Sequence, residues 1–364
     1  MRFHLNAARR SATGTAAAPA RAFHRGLDGY AETALRDAPQ LARELGVRRV
    51  WLKDETKRLG LPAFKVLGAA WAAHRALEAV EGDATLITAT DGNHGRAIAH
   101  VARLLGVAAH VLVPAGTAAA RIAAIRAEGA HVEVVAGSYD EAVACAAALA
   151  GEVSPAGGAQ ASPARGRGTR VLVQDTAWPG YERVPGWIVE GYHTIFAELT
   201  EQLVAEGEHA DLVLLPVGVG SLAAAGVRCL AGGPALVSVE PDSAACLLAS
   251  LEAGEPVTVP GPHESIMAGL NCGTVSSAAW PVLRDGLDAA LAVPDTAAVD
   301  GMRTLAGLGI AAGECAGGVV GAARALLTGP QRDRLEVGAE AVVVLPLTEG
   351  ITDPEGYARL VGSA

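Results

Sequence analysis

From Arg49 onward the sequence repeats one pattern, in which a short run of β-branched residues leads through a glycine-containing turn into an alanine-rich helical stretch. Such alternation is typical of the βα units that build a parallel sheet. Apolar residues make up 51% of the sequence but aromatic residues only 4%, so Ala, Val and Leu must fill most of the core, which suits helices packed on a sheet. We predict an α/β protein with mostly parallel sheets, divided into two domains because 364 residues exceed one ordinary core.

The repeats are clearest in two parts of the chain. The first part is predicted to contain strands at 86–90, 110–114, 131–135 and 170–174 and helices at 96–105, 118–127 and 139–150, with a mobile surface loop at 156–168. In the second part, strands at 212–215 and 235–239 enclose a helix of small residues. Turns at 91–95, 175–181 and 216–221 follow strands, so we expect them to converge at the carboxyl edge where α/β sheets bind ligands.

Charge and composition exclude several classes of function. The net charge of -10 would repel a phosphate backbone, so no nucleic-acid partner is expected, and no apolar stretch reaches membrane-spanning length. Five scattered cysteines without C-x-x-C spacing predict neither a disulfide framework nor a metal site, which fits the cytoplasm. The arginine-containing first 25 residues lack an apolar signal core, and we interpret them as a flexible lead-in.

Lys65 is the first candidate for chemistry. It lies in the apolar segment LPAFKVLG, next to Phe64, where burial would lower the pKa of an amine and favour the neutral form that makes imines. The alternative is an ordinary lysine at the start of a helix whose charged end reaches solvent. The segment alone does not decide between the two.

Two glycine-containing turns could bind an anionic cofactor. Residues 216–221, PVGVGS, offer backbone N–H groups at a helix N-terminus, where the helix dipole favours a phosphate. Residues 91–95, DGNHG, place carboxylate, amide and imidazole groups at a strand end, so Asn93 could donate to a cofactor oxygen. Alternatively, residues 216–221 form a glycine-containing turn that only lets the strand and helix pack closely. Residues 91–95 could likewise be an ordinary turn in which His94 caps the following helix. The full dinucleotide fingerprint is absent, which disfavours a nucleotide-dependent oxidoreductase.

Residues 174–181, QDTAWPGY, crowd polar and aromatic groups into one loop. This suits a pocket wall with Asp175 as a candidate base, or else a buried aromatic corner around Trp178 and Tyr181. Glu314 and Thr348 also follow strand ends, where such residues are often caps or turn residues. Motifs of zinc peptidases, serine hydrolases and P-loop proteins are absent from the sequence.

Together, these segments resemble the fold-type II pyridoxal 5'-phosphate (PLP) enzymes of the tryptophan synthase β-subunit group, and most closely the diaminopropionate ammonia-lyase family. The resemblance spans most of the chain, and its most specific motifs are TDGNHGR at 90–96 and VQDTAW at 173–178. Further matching motifs occur at 21–27, 51–56, 191–192, 218–221, 239–242, 266–270, 301–303 and 348–350. One family therefore accounts for the lysine, the glycine loop, both turns and their order.

The resemblance implies a role for each candidate residue. Lys65 would bear the cofactor, and Asp91 and Asp175 would each remove the α-proton from one enantiomer of 2,3-diaminopropionate. Ammonia would leave from the β-carbon, and the final products would be pyruvate and ammonia. Thr348 would face the pyridine nitrogen of the cofactor, and its neutral hydroxyl would favour such elimination. The implied cofactor-binding residues are Lys65, Phe64, Asn93, Gly218, Val219, Gly220, Ser221, Glu314 and Thr348.

Three departures from the family pattern place the exact substrate in question. Pro62 replaces an asparagine, Pro216 and Val217 replace Gln-Ala, and Ile351 stands where the family has an acidic residue. The alternatives are a serine or threonine dehydratase, a β-replacement synthase, and a non-catalytic small-molecule binder of the same fold. The resemblance also implies a homodimer with a large PLP-binding domain, 1–88 and 171–364, and a small mobile domain, 89–170.

Overall fold

The computed structural model describes residues 1–9, 18–90, 92–152 and 168–362. Within these ranges the chain forms strands in two separate sheets. The strands are β1 (Arg2–Leu5), β2 (Leu35–Asp37), β3 (Arg49–Asp54), β4 (Ala84–Ala89), β5 (Ala108–Pro114), β6 (His131–Val135), β7 (Thr169–Leu172), β8 (Leu212–Pro216), β9 (Ala235–Pro241), β10 (Ala289–Val293) and β11 (Val342–Leu347).

Helices connect nearly all of these strands, as crossover connections between parallel strands require. No helix in the described ranges is both long and apolar enough to cross a membrane. The helices are α1 (Ala18–Arg25), α2 (Pro39–Leu45), α3 (Lys65–Leu77), α4 (Asn93–Leu105), α5 (Ala119–Ala127), α6 (Tyr139–Ala150), α7 (Arg183–Ala205), α8 (Ser221–Leu230), α9 (Cys246–Ala253), α10 (Trp280–Gly286), α11 (Asp295–Gly307), α12 (Glu314–Leu327), α13 (Gln331–Arg334) and α14 (Pro354–Val361).

The larger sheet has the order β1-β10-β9-β8-β11-β3-β2, and all its strands are parallel except the two edge strands β1 and β2. Its central strands are apolar and buried along their whole length because helices cover both faces. Alternate residues of β11 show this directly, since Val344 packs in one apolar cluster and Val343 in the other. This finding confirms the predicted α/β class with mostly parallel sheets.

The smaller sheet, β6-β5-β4-β7, is entirely parallel. Helix α6 packs on one face through Ala142 and Val143, while Ala99 of α4 and Ile125 of α5 cover the other. Its strands span 84–172, a few residues beyond the domain limits expected at 89 and 170. Most of the loop predicted at 156–168 lies outside the described residues.

Candidate active site

The carboxyl ends of strands from both sheets meet around one cavity. Lys65, the first residue of α3, points its amino group into this cavity, and its side chain is 20% exposed. The expected convergence of three turns is found, because Asn93, Asp175 and the loop after β8 line the same wall. Residues 93–95 belong to the first turn of α4 rather than to a free turn, so the helix begins earlier than predicted.

Asp175 is the charged partner of Lys65. The Lys65 amino group donates to Asp175 Oδ2 at 2.7 Å, and the Asp175 side chain is 8% exposed. Burial alone would raise the pKa of this carboxyl, but the positive charge and hydrogen bond of Lys65 outweigh it, so the pKa lies well below its usual range. Asp175 is therefore ionised, as a base must be, although the neighbouring cation weakens its basicity.

Gln174 and Tyr139 hold the second oxygen of Asp175. Oδ1 accepts from Gln174 Nε2 at 3.3 Å and from the Tyr139 hydroxyl at 3.5 Å. Gln174 is itself fixed, because its Oε1 accepts from the Thr88 hydroxyl and from Ala89 N, each at 3.0 Å. The carboxylate therefore rests on a polar network anchored to strand β4.

Trp178 and Tyr181 form a buried aromatic corner, which was the alternative to a pocket wall. Their rings stack with centroids 4.4 Å apart, and both pack in the apolar cluster under α6. The Tyr181 hydroxyl donates to Leu172 O at 2.9 Å and accepts from Gln174 N at 3.0 Å. This corner fixes the backbone that carries Asp175, but within the described residues neither ring lines the cavity.

His94 lies behind Asp175 and does not cap the helix, because it belongs to the first turn of α4, whose N-cap is Gly92. Its Nε2 is 2.9 Å from Val173 O, and because a carbonyl can only accept, Nε2 carries the proton. Burial lowers the pKa of the imidazole, although the nearby Asp175 charge raises it, so the ring is neutral. Its Nδ1 is 3.9 Å from Asp175 Oδ2 and finds no hydrogen-bond partner among the described residues.

The glycine loop after β8 makes a close-fitting cradle at the N-terminus of α8. Gly220 has φ +99°, and a Cβ there would lie 2.7 Å from Leu283 Cδ1. A Cβ on Gly218 would lie 2.9 Å from Gly269 O, so no side chain fits at either position without movement. The Ser221 hydroxyl donates to Asp175 O at 3.2 Å, which joins the loop to the segment that carries the base.

Glu349 is a site residue that the sequence analysis missed. Its Oε2 accepts from Asn93 Nδ2 at 2.6 Å, and its Oε1 accepts from Cys315 N at 3.2 Å. It lines the cavity next to Thr348, directly after β11. The TEG motif at 348–350 was a signal for this residue, since it places a carboxylate at a strand end beside the predicted Thr348.

The remaining predicted residues differ in how near they lie to the cavity. Phe64, Gly218, Val219, Gly220, Ser221 and Thr348 all line it. Glu314 begins α12 with its carboxyl close to Glu349, where burial and that charge raise its pKa, and it is not part of the described cavity wall. Asp91 lies outside the described residues. Of the three departures, Pro216 lines the cavity, whereas Pro62 and Ile351 do not.

This donor set fits PLP. An amine can bond to an aldehyde, and a glycine cradle at a helix N-terminus can receive a phosphate. Lys65, Gly218, Gly220 and Ser221 line one cavity, so both ends of a single cofactor have groups to receive them. Asn93 adds an amide that is already oriented by Glu349.

Comparisons with known proteins agree with this geometry. A model of the family described as pyridoxal-phosphate dependent enzyme matches residues 27–349. Diaminopropionate ammonia-lyase of Escherichia coli strain K12 is 35% identical over 94% of this chain and 90% of its own length. The enzyme of that name from Salmonella typhimurium is 33% identical over 93% of this chain and 90% of its own length.

A solved structure and a more distant relative extend the comparison. The crystal structure of the Escherichia coli diaminopropionate ammonia lyase in complex with D-serine superposes with a TM-score of 0.87 at 32% identity, covering 99% of this chain and 96% of that one. An L-threonine dehydratase of Corynebacterium glutamicum is 30% identical over 63% of this chain and 48% of its own length. The chain therefore belongs to the pyridoxal-phosphate dependent enzymes, and its likeness to the diaminopropionate ammonia-lyases covers almost its whole length.

Proposed function

We propose that this chain uses PLP to eliminate ammonia from the β-carbon of D- or L-2,3-diaminopropionate. The observation that carries the proposal is the 2.7 Å pair of the Lys65 amino group and the Asp175 carboxylate, in the cavity that also contains the glycine loop. The names of the similar enzymes support diaminopropionate as the substrate.

The cofactor would be held at several points of the cavity wall. Lys65 would bear it, Asn93 would bind the 3'-oxygen of its ring, and Thr348 would face its ring nitrogen. The backbone of 218–220 and the Ser221 hydroxyl would receive its phosphate, with the dipole of α8 favouring the negative charge. When bound, PLP supplies an electron sink that makes the α-proton of an amino acid acidic.

Asp175 and Lys65 would handle the protons of the reaction. Asp175 is ionised and desolvated, so it can accept the α-proton from a substrate on its side of the cavity. Lys65 lies within hydrogen-bond distance and can pass a proton between the carboxylate and the leaving amino group. We propose Asp91 as the base for the opposite enantiomer, on the strength of the family motif.

The products distinguish this activity from its rivals. Diaminopropionate plus one water yields one pyruvate and two ammonia molecules, because both amino groups are lost. Serine would yield one ammonia per pyruvate, and threonine would yield 2-oxobutyrate instead. The dehydratase alternative rests on the lysine and glycine loop and on the likeness to a threonine dehydratase.

The test is to incubate the purified holoenzyme with each enantiomer of diaminopropionate, and with serine and threonine, and to measure keto acid and ammonia. Lys65→Ala should abolish turnover, whereas the exposed Lys57→Ala should not. Two ammonia molecules per pyruvate from diaminopropionate would support the proposal. A PLP-bound protein that turns over only serine or threonine would overturn it in favour of the dehydratase.

We also propose three properties of the whole molecule. The chain acts as a homodimer, which light scattering would check. It works in the cytoplasm, since all five cysteines are free in this structure. Residues 89–170 form a small domain that closes over substrate, and hydrogen exchange with and without D-serine would detect that closure.

A further inference from the structure

Two histidines and a glutamate lie together on the smaller sheet, away from the cavity. His110 belongs to β5, and His131 and Glu133 belong to the neighbouring edge strand β6. His110 is in register with His131, and Leu112 with Glu133. Partners in register point to the same face, as do residues two apart in one strand, so all three side chains share one face.

The three side chains are close enough to bind one ion. His110 Nε2 is 2.9 Å from Glu133 Oε2, and the two imidazole rings are 4.6 Å apart between centroids. One ligand atom from each residue lies within 4.8 Å of the others. Ligands of a tetrahedral zinc ion, with bonds of about 2.0–2.2 Å, lie roughly 3.3 Å apart. The side chains of His131 and Glu133 are exposed, so they can rotate to bring the ligand atoms from within 4.8 Å to the spacing that zinc requires.

We propose that His110, His131 and Glu133 form a three-ligand site for a divalent ion of the zinc class, with water as the fourth ligand. Imidazole nitrogen with a carboxylate oxygen is a zinc donor set, whereas calcium and magnesium take oxygen ligands. The ion would replace the hydrogen bond between His110 and Glu133. The Nε2 proton would move to Nδ1 or to solvent, so that the Nε2 lone pair can bind the metal.

The charges around the site are compatible with metal binding. Partial burial lowers the pKa of His110, with contributions from His131 and Arg170 that outweigh the opposing effect of Glu133. Glu133 supplies negative charge and Arg170 opposes the ion, so we expect binding well short of the affinity of a structural zinc site.

The position of the site predicts its effect. The three residues lie on the strands of the smaller sheet, while Lys65 and Asp175 lie in the cavity at the carboxyl ends. A bound ion would therefore cross-link the edge strand β6 to β5 and leave the reaction unchanged. The cysteine spacing did not predict a metal site. The three proposed ligands are other residues, and they come together only when β5 and β6 pair.

The test is calorimetric titration of the tag-free holoenzyme with zinc chloride, beside His131→Ala and His209→Ala. His209 is an exposed histidine elsewhere on the chain and serves as the matched control. The natural chain and His209→Ala should each bind one equivalent of zinc that His131→Ala does not bind. Zinc should raise the melting temperature only of the proteins that bind this equivalent. Zinc bound by cysteines or by the PLP phosphate would persist in both variants.

A second variant keeps the test decisive if His131→Ala is poorly folded. Glu133→Gln removes the carboxylate ligand, and its cobalt complex should lose the visible bands of a tetrahedral site. Binding should also weaken in acid, because protons compete with the metal for the imidazole nitrogens. Unchanged zinc stoichiometry and an unchanged cobalt spectrum in both variants would overturn the proposal and leave the three residues as a cross-strand hydrogen bond.

Discussion

Glu198 is the centre of a fully buried charge cluster, and we expect its removal to destabilise the fold strongly. Its carboxylate accepts from Lys53 Nζ at 2.8 Å and from two Arg58 nitrogens at 2.8 and 2.7 Å. Arg58 also pairs with Glu55, so two buried cations face two buried anions. Glu198→Gln keeps the shape but leaves a buried positive charge uncompensated, which costs about 3–5 kcal/mol.

Urea unfolding of the holoenzyme would measure this cost, and Glu201→Gln is the control. Glu201 lies one turn further along α7 and pairs with Arg21, but its side chain is 59% exposed. Arg21 itself is only 10% exposed, but it keeps Glu32 as a second partner, and a pair with an exposed carboxylate contributes about 0–1 kcal/mol. We therefore expect a large fall in the unfolding midpoint for Glu198→Gln and little change for Glu201→Gln. Equal losses in the two variants would refute the reasoning from burial.

The same cluster predicts how stability depends on pH. Burial would raise the pKa of Glu198, but the hydrogen bonds and charges of Arg58 and Lys53 lower it to about 2. A folded pKa below the unfolded value of about 4.3 means that the stabilisation is complete above pH 4.3 and is lost as the pH falls towards 2. The midpoint should therefore fall less steeply with acid in Glu198→Gln than in the natural chain.

Three further substitutions test the site and its support. Asp175→Asn should lower pyruvate formation from one enantiomer by about 10²–10⁴-fold while the PLP absorbance remains, because an amide cannot accept the proton; full activity would remove Asp175 from the mechanism. Gly220→Ala should lower the free energy of unfolding in urea by about 1–2 kcal/mol, since φ +99° strains an alanine and its Cβ would lie 2.7 Å from Leu283 Cδ1. Tyr181→Phe removes the hydroxyl between Leu172 O and Gln174 N, and urea unfolding should show a loss of about 1–3 kcal/mol.

Elements with strong local signals could be predicted from the sequence. Strand β6 and helix α6 have the predicted limits, since a capping box of Ser138 and Glu141 begins the helix and Gly151, in the left-handed conformation, ends it. Strand β7 ends at Leu172, two residues earlier than predicted. Residues 173 and 174 continue the apolar and polar alternation, but Gln174 N bonds to the Tyr181 hydroxyl rather than to a strand.

The candidate site was partly predictable for a different reason. Lys65, Asp175 and the glycine loop each follow or begin an element in a recognisable motif, and parallel strands bring such motifs to one edge. The contacts of Glu349 and His94 depend instead on side chains from distant segments. Their partners could not be predicted from periodicity, because tertiary packing decides them.

The three lysines of this sequence, Lys53, Lys57 and Lys65, show why position rather than residue type decides the chemistry. Lys53 is fully buried and donates to Thr33 O, Glu198 and Gln202, so all three of its donors are bound to fixed acceptors. Lys57 is exposed to solvent. Lys65 alone among them lines the cavity, where it pairs with Asp175 and where a bound cofactor could reach its amino group. An amine can react only where a ligand can approach it, and the fully buried, fully hydrogen-bonded ammonium group of Lys53 leaves no such approach.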